Sequence, residues 1–257
     1  MSGYAIAGRD LIAQFGSFRA NDRVTLAVAP GERRAVIGPN GAGKTTLFNL
    51  LGGQMRPTSG SVELLGRDVT RAPAHRRARL GLARTFQITN LLTELTTRQN
   101  VQLTLAASSA ASRIFWRTLD SLAVLYRRAE DVLAEWDLGD LADIPVRHLA
   151  YGQQRVLEIV LAMSRKPAVL LLDEPTAGLA RADAERLTSL VAALPRSIAV
   201  VLIEHDMSIA FALADRVSVL HQGRVLAEGT PEEISSDRRV LEAYLGQALE
   251  GGRAGGP

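Results

Sequence analysis

Residues 38–45 have the spacing G-x-x-x-x-G-K-T, which places glycines, a lysine and a hydroxyl residue in a fixed order. A loop with this spacing surrounds the phosphates of a nucleotide with its backbone N–H groups. The glycines allow positive φ and close approach of the backbone, Lys44 neutralises charge on the β- and γ-phosphates, and Thr45 offers a hydroxyl to Mg²⁺. The sequence therefore predicts a site for a nucleoside triphosphate. Its loop residues are Pro39, Asn40, Gly41, Ala42, Gly43, Lys44 and Thr45.

The segments that flank this loop favour the same prediction. Residues 33–37 have the pattern of a buried strand, and residues 46–51 continue with the apolar spacing of a helix. A phosphate loop requires this context, because the start of the helix supplies unpaired N–H donors and a favourable dipole. The alternative is a glycine-rich turn with an incidental lysine, and the flanking pattern argues against it.

Two acids end a second apolar run. Residues 169–172 are followed by Asp173 and Glu174, at the edge of the sheet where open α/β folds keep their ligands. We expect Asp173 to hold Mg²⁺ and Glu174 to orient or deprotonate an attacking water, an effect worth about 10²–10⁴-fold in rate. The alternative is that both acids cap a following helix, but the phosphate loop elsewhere in the chain favours the catalytic interpretation.

Three isolated residues are further candidates. His205 follows the apolar run 197–203 and could reach the same edge to hydrogen-bond the γ-phosphate, or it is a satisfied structural histidine. Gln87 stands where strand patterns give way to helical ones, and could contact both Mg²⁺ and a mobile lobe, although a lone glutamine usually lies at the surface. Phe15 could stack on an adenine ring, or it belongs to the core.

Composition sets the class of protein. The chain has 257 residues, 47% of them hydrophobic, a net charge of +3 and no cysteine. These values are typical of a soluble globular protein, and the lack of cysteine excludes disulfides, thiolate metal sites and a cysteine nucleophile.

Basic residues are balanced by acids without long runs of one charge, so no nucleic-acid partner is expected. No run approaches the roughly 18 apolar residues of a membrane helix, and no signal peptide is evident, so any membrane role is expected to be peripheral.

Strand patterns recur along the chain, several as continuous apolar runs that are typical of strands covered on both faces. They predict an α/β fold with a largely parallel sheet and an inserted helical subdomain. A hydroxyl residue precedes Gln or Glu by three positions at Thr96 and Thr230, which predicts two capping boxes, and Pro231 suits a first helical position. The predicted strands cover residues 4–6, 24–28, 33–37, 61–64, 169–172, 197–203, 216–220 and 224–228, and the predicted helices include 96–107 and 121–136.

Residues 149–155 read L-A-Y-G-Q-Q-R, which resembles the L-S-G-G-Q signature of the ATP-binding subunits of ABC transporters. Taken with the other motifs, the chain is similar to this family over residues 4–249. The resemblance implies a RecA-like P-loop NTPase core with an antiparallel N-terminal β region. It also implies a division into an ATP-binding core (1–90 and 155–230), a helical subdomain with the signature (91–154), a C-terminal helix (231–250) and a disordered tail (251–257).

The resemblance also implies a role for each candidate residue. Residues 38–46 match the Walker A loop, which adds Thr46 to the residues expected to bind the nucleotide. Phe15 matches the aromatic residue that stacks on adenine. Asp173 matches the Walker B aspartate. The implied catalytic residues are Glu174, His205 and Gln87, the implied Mg²⁺ ligands are Thr45, Gln87 and Asp173, and the implied signature contacts to ATP are Leu149, Ala150, Tyr151, Gly152 and Gln153.

Two positions depart from the family pattern. Ala150 stands where the family usually has serine, so a hydroxyl contact to the γ-phosphate worth about 0.5–1.5 kcal/mol is missing. Backbone N–H groups of Gly152 and Gln153 at a helix start remain available to the phosphate. Ala180 stands where the family commonly has Asp or Asn, at a position used for communication between two sites.

A signature separated from the phosphate loop by a helical insert implies a composite site, with ATP held between two subunits. The implied partners are a second ATP-binding subunit, either another copy or a related chain, transmembrane permeases docked near Gln87 and the helical insert, and indirectly a solute-binding protein. The residues of the signature segment, 149–155, resemble those of ABC subunits that power uptake of branched-chain amino acids and related amides. Alternatives are a lipid or lipopolysaccharide exporter subunit, an ABC ATPase of translation or DNA repair, and a small-molecule kinase.

Overall fold

The computed structural model describes residues 3–85, 91–108 and 119–251, in which ten strands form a six-stranded and a four-stranded sheet. The strands are β1 (Ile6–Phe15), β2 (Phe18–Val28), β3 (Arg33–Ile37), β4 (Ser59–Leu64), β5 (Arg67–Asp68), β6 (Leu82–Arg84), β7 (Val169–Asp173), β8 (Ala199–Ile203), β9 (Arg216–His221) and β10 (Arg224–Gly229). The helices are α1 (Lys44–Gly52), α2 (Ala74–Arg79), α3 (Thr97–Ser108), α4 (Leu119–Glu135), α5 (Tyr151–Met163), α6 (Arg181–Ala192), α7 (Met207–Leu213), α8 (Pro231–Ser236) and α9 (Arg238–Gly251). No helix among the described residues has the length and apolar character needed to cross a bilayer.

The six-stranded sheet has the order β10-β9-β3-β8-β7-β6, and all of its neighbours pair in parallel except β9 and β10. Successive residues of β7 point to opposite faces. Val169 and Leu171 pack into the core that contains α1, whereas Leu170 and Leu172 pack into the core that contains α5, α6 and α7. The continuous apolar runs therefore mark strands buried on both faces, and the predicted α/β fold is confirmed.

The four-stranded sheet has the order β2-β1-β4-β5, is antiparallel, and lies over α1 as a second β layer. It confirms the N-terminal antiparallel region. The first strand extends to Phe15, so the bounds predicted for it were wrong. The polar residues Arg9 and Asp10 interrupt the apolar pattern, and the strand bulges there, where Asp10 has a φ of 48° and the register shifts. Two short strands, β5 and β6, were not predicted.

The N-termini of two helices, α3 and α8, follow the predicted capping chemistry. The side chain of Gln99 accepts the backbone N–H of Thr96 at 2.9 Å, and the Thr230 hydroxyl accepts the N–H of Glu233 at 3.3 Å. Pro231 occupies the first position of α8. The observed α3 and α4 match the predicted helices to within one or two residues.

The C-terminal segment departs from the prediction. Residues 231–250 form two helices, not one, because Asp237 has extended backbone angles and its carboxylate accepts the N–H of Arg239 at 2.8 Å, which starts α9 afresh. Gly251 is the last residue of α9. The remainder of the tail that was predicted to be disordered, residues 252–257, lies outside the described residues.

A buried guanidinium fixes the end of α1. Arg77 on α2 has no exposed surface, and its side chain donates to the carbonyl oxygens of Leu50 and Leu51, at 2.6 and 2.7 Å, and of Ala72 at 3.0 Å. Burial lowers the pKa of Arg77 to about 10. The last carbonyls of a helix carry partial negative charge, so a cation placed here compensates both their unmet hydrogen bonds and the helix dipole.

We predict that Arg77→Met lowers the free energy of unfolding by about 2–4 kcal/mol, because buried carbonyls at the end of α1 lose charged donors. Urea unfolding followed by circular dichroism measures this change. The control is Arg76→Met on the same helix, where the side chain is exposed and a change within about 0.5 kcal/mol is expected. Equal losses for the two variants would contradict the assigned role.

Candidate nucleotide-binding site

The loop between β3 and α1 has a backbone that only glycine adopts easily. Gly38 has a φ of 146° and Gly43 a φ of 100°. A Cβ on Gly38 would collide with the carbonyl oxygen of Leu220, and one on Gly43 would collide with that of Ala20. The loop is therefore closely packed against its neighbours, and its path depends on the absence of side chains at these two positions.

Lys44 is the first residue of α1, and its side chain folds back over the loop. Its ammonium donates to the carbonyl oxygens of Gly38 at 2.6 Å and Pro39 at 2.9 Å. Burial lowers its pKa, while the charges of Glu174 and Asp173 act in the opposite direction. A buried ammonium with only neutral acceptors in direct contact is ready to exchange them for a phosphate anion.

The loop forms one wall of a cavity of about 290 Å³. Its lining residues are Phe18, Ala20, Asn40, Gly41, Ala42, Gly43, Lys44, Thr45, Thr46, Glu174 and His205. The structure thus brings most of the predicted loop together with two side chains predicted from distant parts of the sequence. The predicted loop residue Pro39 does not line the cavity, and its carbonyl oxygen accepts a hydrogen bond from Lys44.

Glu174 and His205 lie at the ends of the adjacent strands β7 and β8. Their side chains meet with 2.6 Å between Oε1 and Nε2. Glu174 has a φ of 48°, in the left-handed region that non-glycine residues rarely adopt, and its N–H donates to the carbonyl of Ile203 at 3.0 Å. Such a strained residue at the edge of a sheet is a feature of functional sites.

Asp173 is the last residue of β7 and is almost fully buried. Its Oδ2 accepts a hydrogen bond at 2.8 Å from Arg84 at the end of β6. Its Oδ1 is buried and has no hydrogen-bond partner within the described part of the chain. An unpartnered carboxylate oxygen beside a phosphate site is the type of ligand that Mg²⁺ prefers, so the residues present fit the predicted metal.

Glu204 is a buried acid that the sequence analysis did not single out. Its Oε1 accepts the hydroxyl of Thr176 at 2.8 Å and the Thr176 N–H at 3.2 Å. Burial raises its pKa, and the Thr176 contacts oppose that rise. The residue thereby joins the end of β8, where His205 lies, to the loop after β7. In the sequence, the position of Glu204 directly after an apolar run is the signal that could have identified it as a site residue.

The signature segment lies at the start of α5, away from the phosphate-loop cavity. Ala150 is the N-cap, and its N–H donates to the side chain of Gln153 at 2.9 Å. The Tyr151 hydroxyl accepts from Arg155 at 2.6 Å and donates to the carbonyl of Ala177 at 3.4 Å. None of the predicted signature contacts, Leu149, Ala150, Tyr151, Gly152 and Gln153, lines the cavity.

Two other predicted residues are not brought into the cavity. Phe15 is exposed at the tip of the β1–β2 hairpin, and it is its cross-strand partner Phe18 that lines the cavity. Cross-strand partners point to the same face, so both rings lie on one side of the hairpin. Gln87 lies outside the described residues.

Comparison with known proteins relates this geometry to a family. The family model described as "ABC transporter" matches residues 21–177, and the model "Branched-chain amino acid ATP-binding cassette transporter" matches residues 224–250. The solved structure of the ADP conformation of MJ1267, an ATP-binding cassette of an ABC transporter, is 28% identical with a TM-score of 0.81, over 95% of this chain and 99% of that chain.

Curated relatives extend over nearly the whole chain. The high-affinity branched-chain amino acid transport ATP-binding protein BraF of Pseudomonas aeruginosa is 40% identical over 248 residues, covering 93% of this chain and 96% of the relative. The corresponding protein LivG of Escherichia coli is 38% identical over 258 residues, covering 96% and 100%. The lipopolysaccharide export system ATP-binding protein LptB of Acidithiobacillus ferridurans is 34% identical, covering 88% and 90%. The chain is therefore an ATPase that belongs to the ABC transporter family as an ATP-binding subunit.

Proposed function

We propose that this chain is the ATPase that powers import of branched-chain or related hydrophobic amino acids, bound peripherally at the cytoplasmic face of the membrane. The observation that carries the mechanism is geometric. The phosphate loop, Glu174 and His205 share one cavity, whereas the signature segment at the start of α5 lies outside it. The amino-acid substrate rests on the named relatives BraF and LivG and on the second family model at residues 224–250.

The cavity supplies the groups that ATP hydrolysis requires. The N–H groups of residues 40–46 bind the phosphates, and Lys44 exchanges its carbonyl contacts for β- and γ-phosphate oxygens. Glu174 orients the attacking water and accepts its proton, and His205, already in contact with Glu174, hydrogen-bonds the γ-phosphate. Mg²⁺, when bound, neutralises phosphate charge, and Thr45, Asp173 and Gln87 would hold it.

The base of the nucleotide binds at the β1–β2 hairpin. Both exposed rings of the hairpin, Phe15 and Phe18, lie on the same side, and Phe18 lines the phosphate cavity. Stacking on an aromatic face is worth about 1–3 kcal/mol for each base. We assign Phe15 as the predicted stacking residue, with Phe18 beside it.

A second ATP-binding subunit completes the site. Its signature residues approach the γ-phosphate held by the first subunit, so ATP bridges two helix ends that carry partial positive charge. Ala150 has no hydroxyl to donate to the γ-phosphate, so the backbone N–H groups of Gly152 and Gln153 donate to it. Hydrolysis removes the bridging charge and lets the subunits separate. Within each subunit, Tyr151 connects the signature to the loop after β7 through the Ala177 carbonyl.

The partners follow from this cycle. Opening and closing of the dimer would move membrane-spanning permease subunits that dock near Gln87 and the helical subdomain of residues 91–154, and a solute-binding protein would deliver the substrate on the other side. A lipopolysaccharide exporter subunit is the second candidate, favoured only by the relative LptB, which is less identical than BraF and LivG.

We predict that Lys44→Ala weakens ATP binding at least about tenfold, because the phosphates lose a charged donor worth about 1.5–3 kcal/mol. Isothermal titration with ATP measures this. The matched control removes the only other lysine, in Lys166→Ala, where the side chain is exposed and ATP affinity is expected to stay unchanged. Equal affinity for Lys44→Ala and the wild type would count against the phosphate-loop assignment.

We predict that Glu174→Gln slows hydrolysis by about 10²–10⁴-fold while ATP binding persists, so that an ATP-stabilised dimer accumulates. Light scattering after size exclusion, with and without ATP, measures the mass. The control is Glu185→Gln, an exposed acid on α6, which should hydrolyse ATP like the wild type and stay monomeric after turnover. A Glu174→Gln protein that binds ATP but remains a monomer would contradict the composite site.

A further inference from the structure

A second cavity, the α4 cleft, lies at the end of α5 that is opposite the signature segment. Its volume is about 530 Å³, within the range of roughly 300–1,000 Å³ that is usual for small-molecule sites. One wall is α4, and the other consists of the end of α5, the loop that follows it and the turn before β8. The cleft shares no lining residue with the phosphate-loop cavity.

One face of α4 supplies charged side chains to the cleft. Arg128, Asp131 and Glu135 lie three or four residues apart and therefore share that face of the helix. Ala129 and Leu133, on the opposite face, have no exposed surface. Core packing thus fixes the rotation of α4 and directs these charges toward the cleft.

Lys166 supplies the charge of the opposite wall. It follows the end of α5 with a φ of 51°, and its N–H donates to the carbonyl oxygen of Met163 at 2.8 Å. The turn before β8 is closed by the N–H of Ile198, which donates to the carbonyl oxygen of Pro195 at 3.1 Å. Backbone hydrogen bonds therefore hold both segments of this wall in place.

The charges of the cleft are balanced in sign but not paired. Arg128, Asp131, Glu135 and Lys166 are its charged lining residues, two positive and two negative. None of the four forms an ion pair or a side-chain hydrogen bond with a residue that the structure describes. A ligand with a net charge would be attracted by two of them and repelled by the other two, whereas a zwitterion matches both signs.

The remaining surface of the cleft is mainly apolar. A ligand that fills this part needs an apolar body, because burial of a polar group without a hydrogen-bond partner is unfavourable. The buried apolar residues are Leu105, Pro167 and Ile198, and the half-buried ones are Val132, Trp136 and Met163.

We propose that the α4 cleft binds a free amino acid with an apolar side chain, in its zwitterionic form. The carboxylate of the ligand lies at Lys166, its ammonium lies at Asp131 and Glu135, and its side chain packs on the apolar surface. A metal ion does not account for the two acids, since no group of histidine, cysteine, aspartate or glutamate residues in the described part of the chain is arranged to hold one.

The identity of the ligand with the transported solute rests on the proposed function, whereas its chemical class rests on the cleft alone. The ligand would contact α4 and Met163, the last residue of α5, at the same time. Since α5 begins with the signature segment, the solute site and the ATP-contacting residues lie at the two ends of one helix.

The first test varies the ligand and uses the isolated wild-type chain. The probes are L-leucine, leucinamide, which lacks the carboxylate, and 4-methylpentanoate, which lacks the ammonium. By isothermal titration, we expect leucine to bind at least tenfold more tightly than either analogue, and serine to bind at least tenfold more weakly than leucine. No binding of leucine at millimolar concentrations, or equal binding of leucine and the two analogues, would overturn the proposal.

The second test varies the protein. We expect Lys166→Met to lower the affinity for leucine at least fivefold and to make leucine and leucinamide bind within twofold of each other, because the contact that distinguishes them is gone. The matched control is Arg165→Met, an exposed neighbour that does not line the cleft, and it should keep the wild-type preference. ATP hydrolysis should stay within twofold in both variants.

A weaker but still selective Lys166→Met protein would overturn the assigned carboxylate contact, since a general disturbance of the cleft lowers both affinities alike. The same logic applies to Asp131→Asn combined with Glu135→Gln, in which leucine and 4-methylpentanoate should bind alike. Dissociation of a wild-type oligomer by Lys166→Met, without leucine binding to the wild type, would assign the cleft to a second copy and overturn the proposal.

The proposed function is tested separately, by ATP-dependent uptake of labelled leucine into vesicles that contain the assembled transporter. Uptake without binding of leucine to the isolated chain would overturn the cleft proposal and leave the proposed function intact. Selective binding without uptake would support the cleft and reject leucine as the transported solute.

Discussion

The parallel pairing of β8 with both β3 and β7 is the constraint on which this site depends. Val36, one residue before the end of β3, pairs with Ile203, and Ile203 in turn pairs with Asp173 at the end of β7. Because parallel strands end at the same edge, the phosphate loop, Glu174 and His205 meet there although more than a hundred residues separate the loop from the other two. The apolar residues of these strands, buried on both faces, hold that register, since a slip of one residue would exchange the two faces.

The ionisable side chains at this edge have hydrogen-bond partners before any nucleotide binds. Lys44 contacts loop carbonyls, Glu174 contacts His205, and Asp173 contacts Arg84. Each contact satisfies hydrogen-bonding groups of a buried or half-buried side chain, and each leaves one group able to change partner when phosphates bind. The signature helix carries its own set of contacts, centred on Tyr151, and contributes nothing to the cavity of its own subunit. Because the two sets lie apart within one subunit, we propose that they are complementary halves of a site that a dimer completes.

Sequence patterns were sufficient for features that depend on local chemistry. The glycine spacing of the loop, the buried runs of β3, β7 and β8, and the capping boxes at Thr96 and Thr230 all depend on neighbouring residues. Features that depend on distant contacts were not predictable in this way. Phe18 reaches the cavity through hairpin pairing, Arg84 through the alignment of β6 beside β7, and Arg77 through packing of α2 on the end of α1. The break between α8 and α9 was missed because an aspartate cap looks like any exposed acid inside a helical pattern.

The central claim is that the chain holds two separate halves of an ATP site, and complementation between two variants tests it most directly. Ala150→Asp keeps a good N-cap for α5 but places a negative charge where the γ-phosphate is expected. Neither Ala150→Asp nor Lys44→Ala should hydrolyse ATP alone. Mixed, they form dimers in which an intact phosphate loop faces an intact signature, and ATPase activity should return to roughly a quarter of the wild-type rate, since about half of the dimers are mixed and one site in each is complete. Wild-type activity of Ala150→Asp alone, or no recovery in the mixture, would contradict the account.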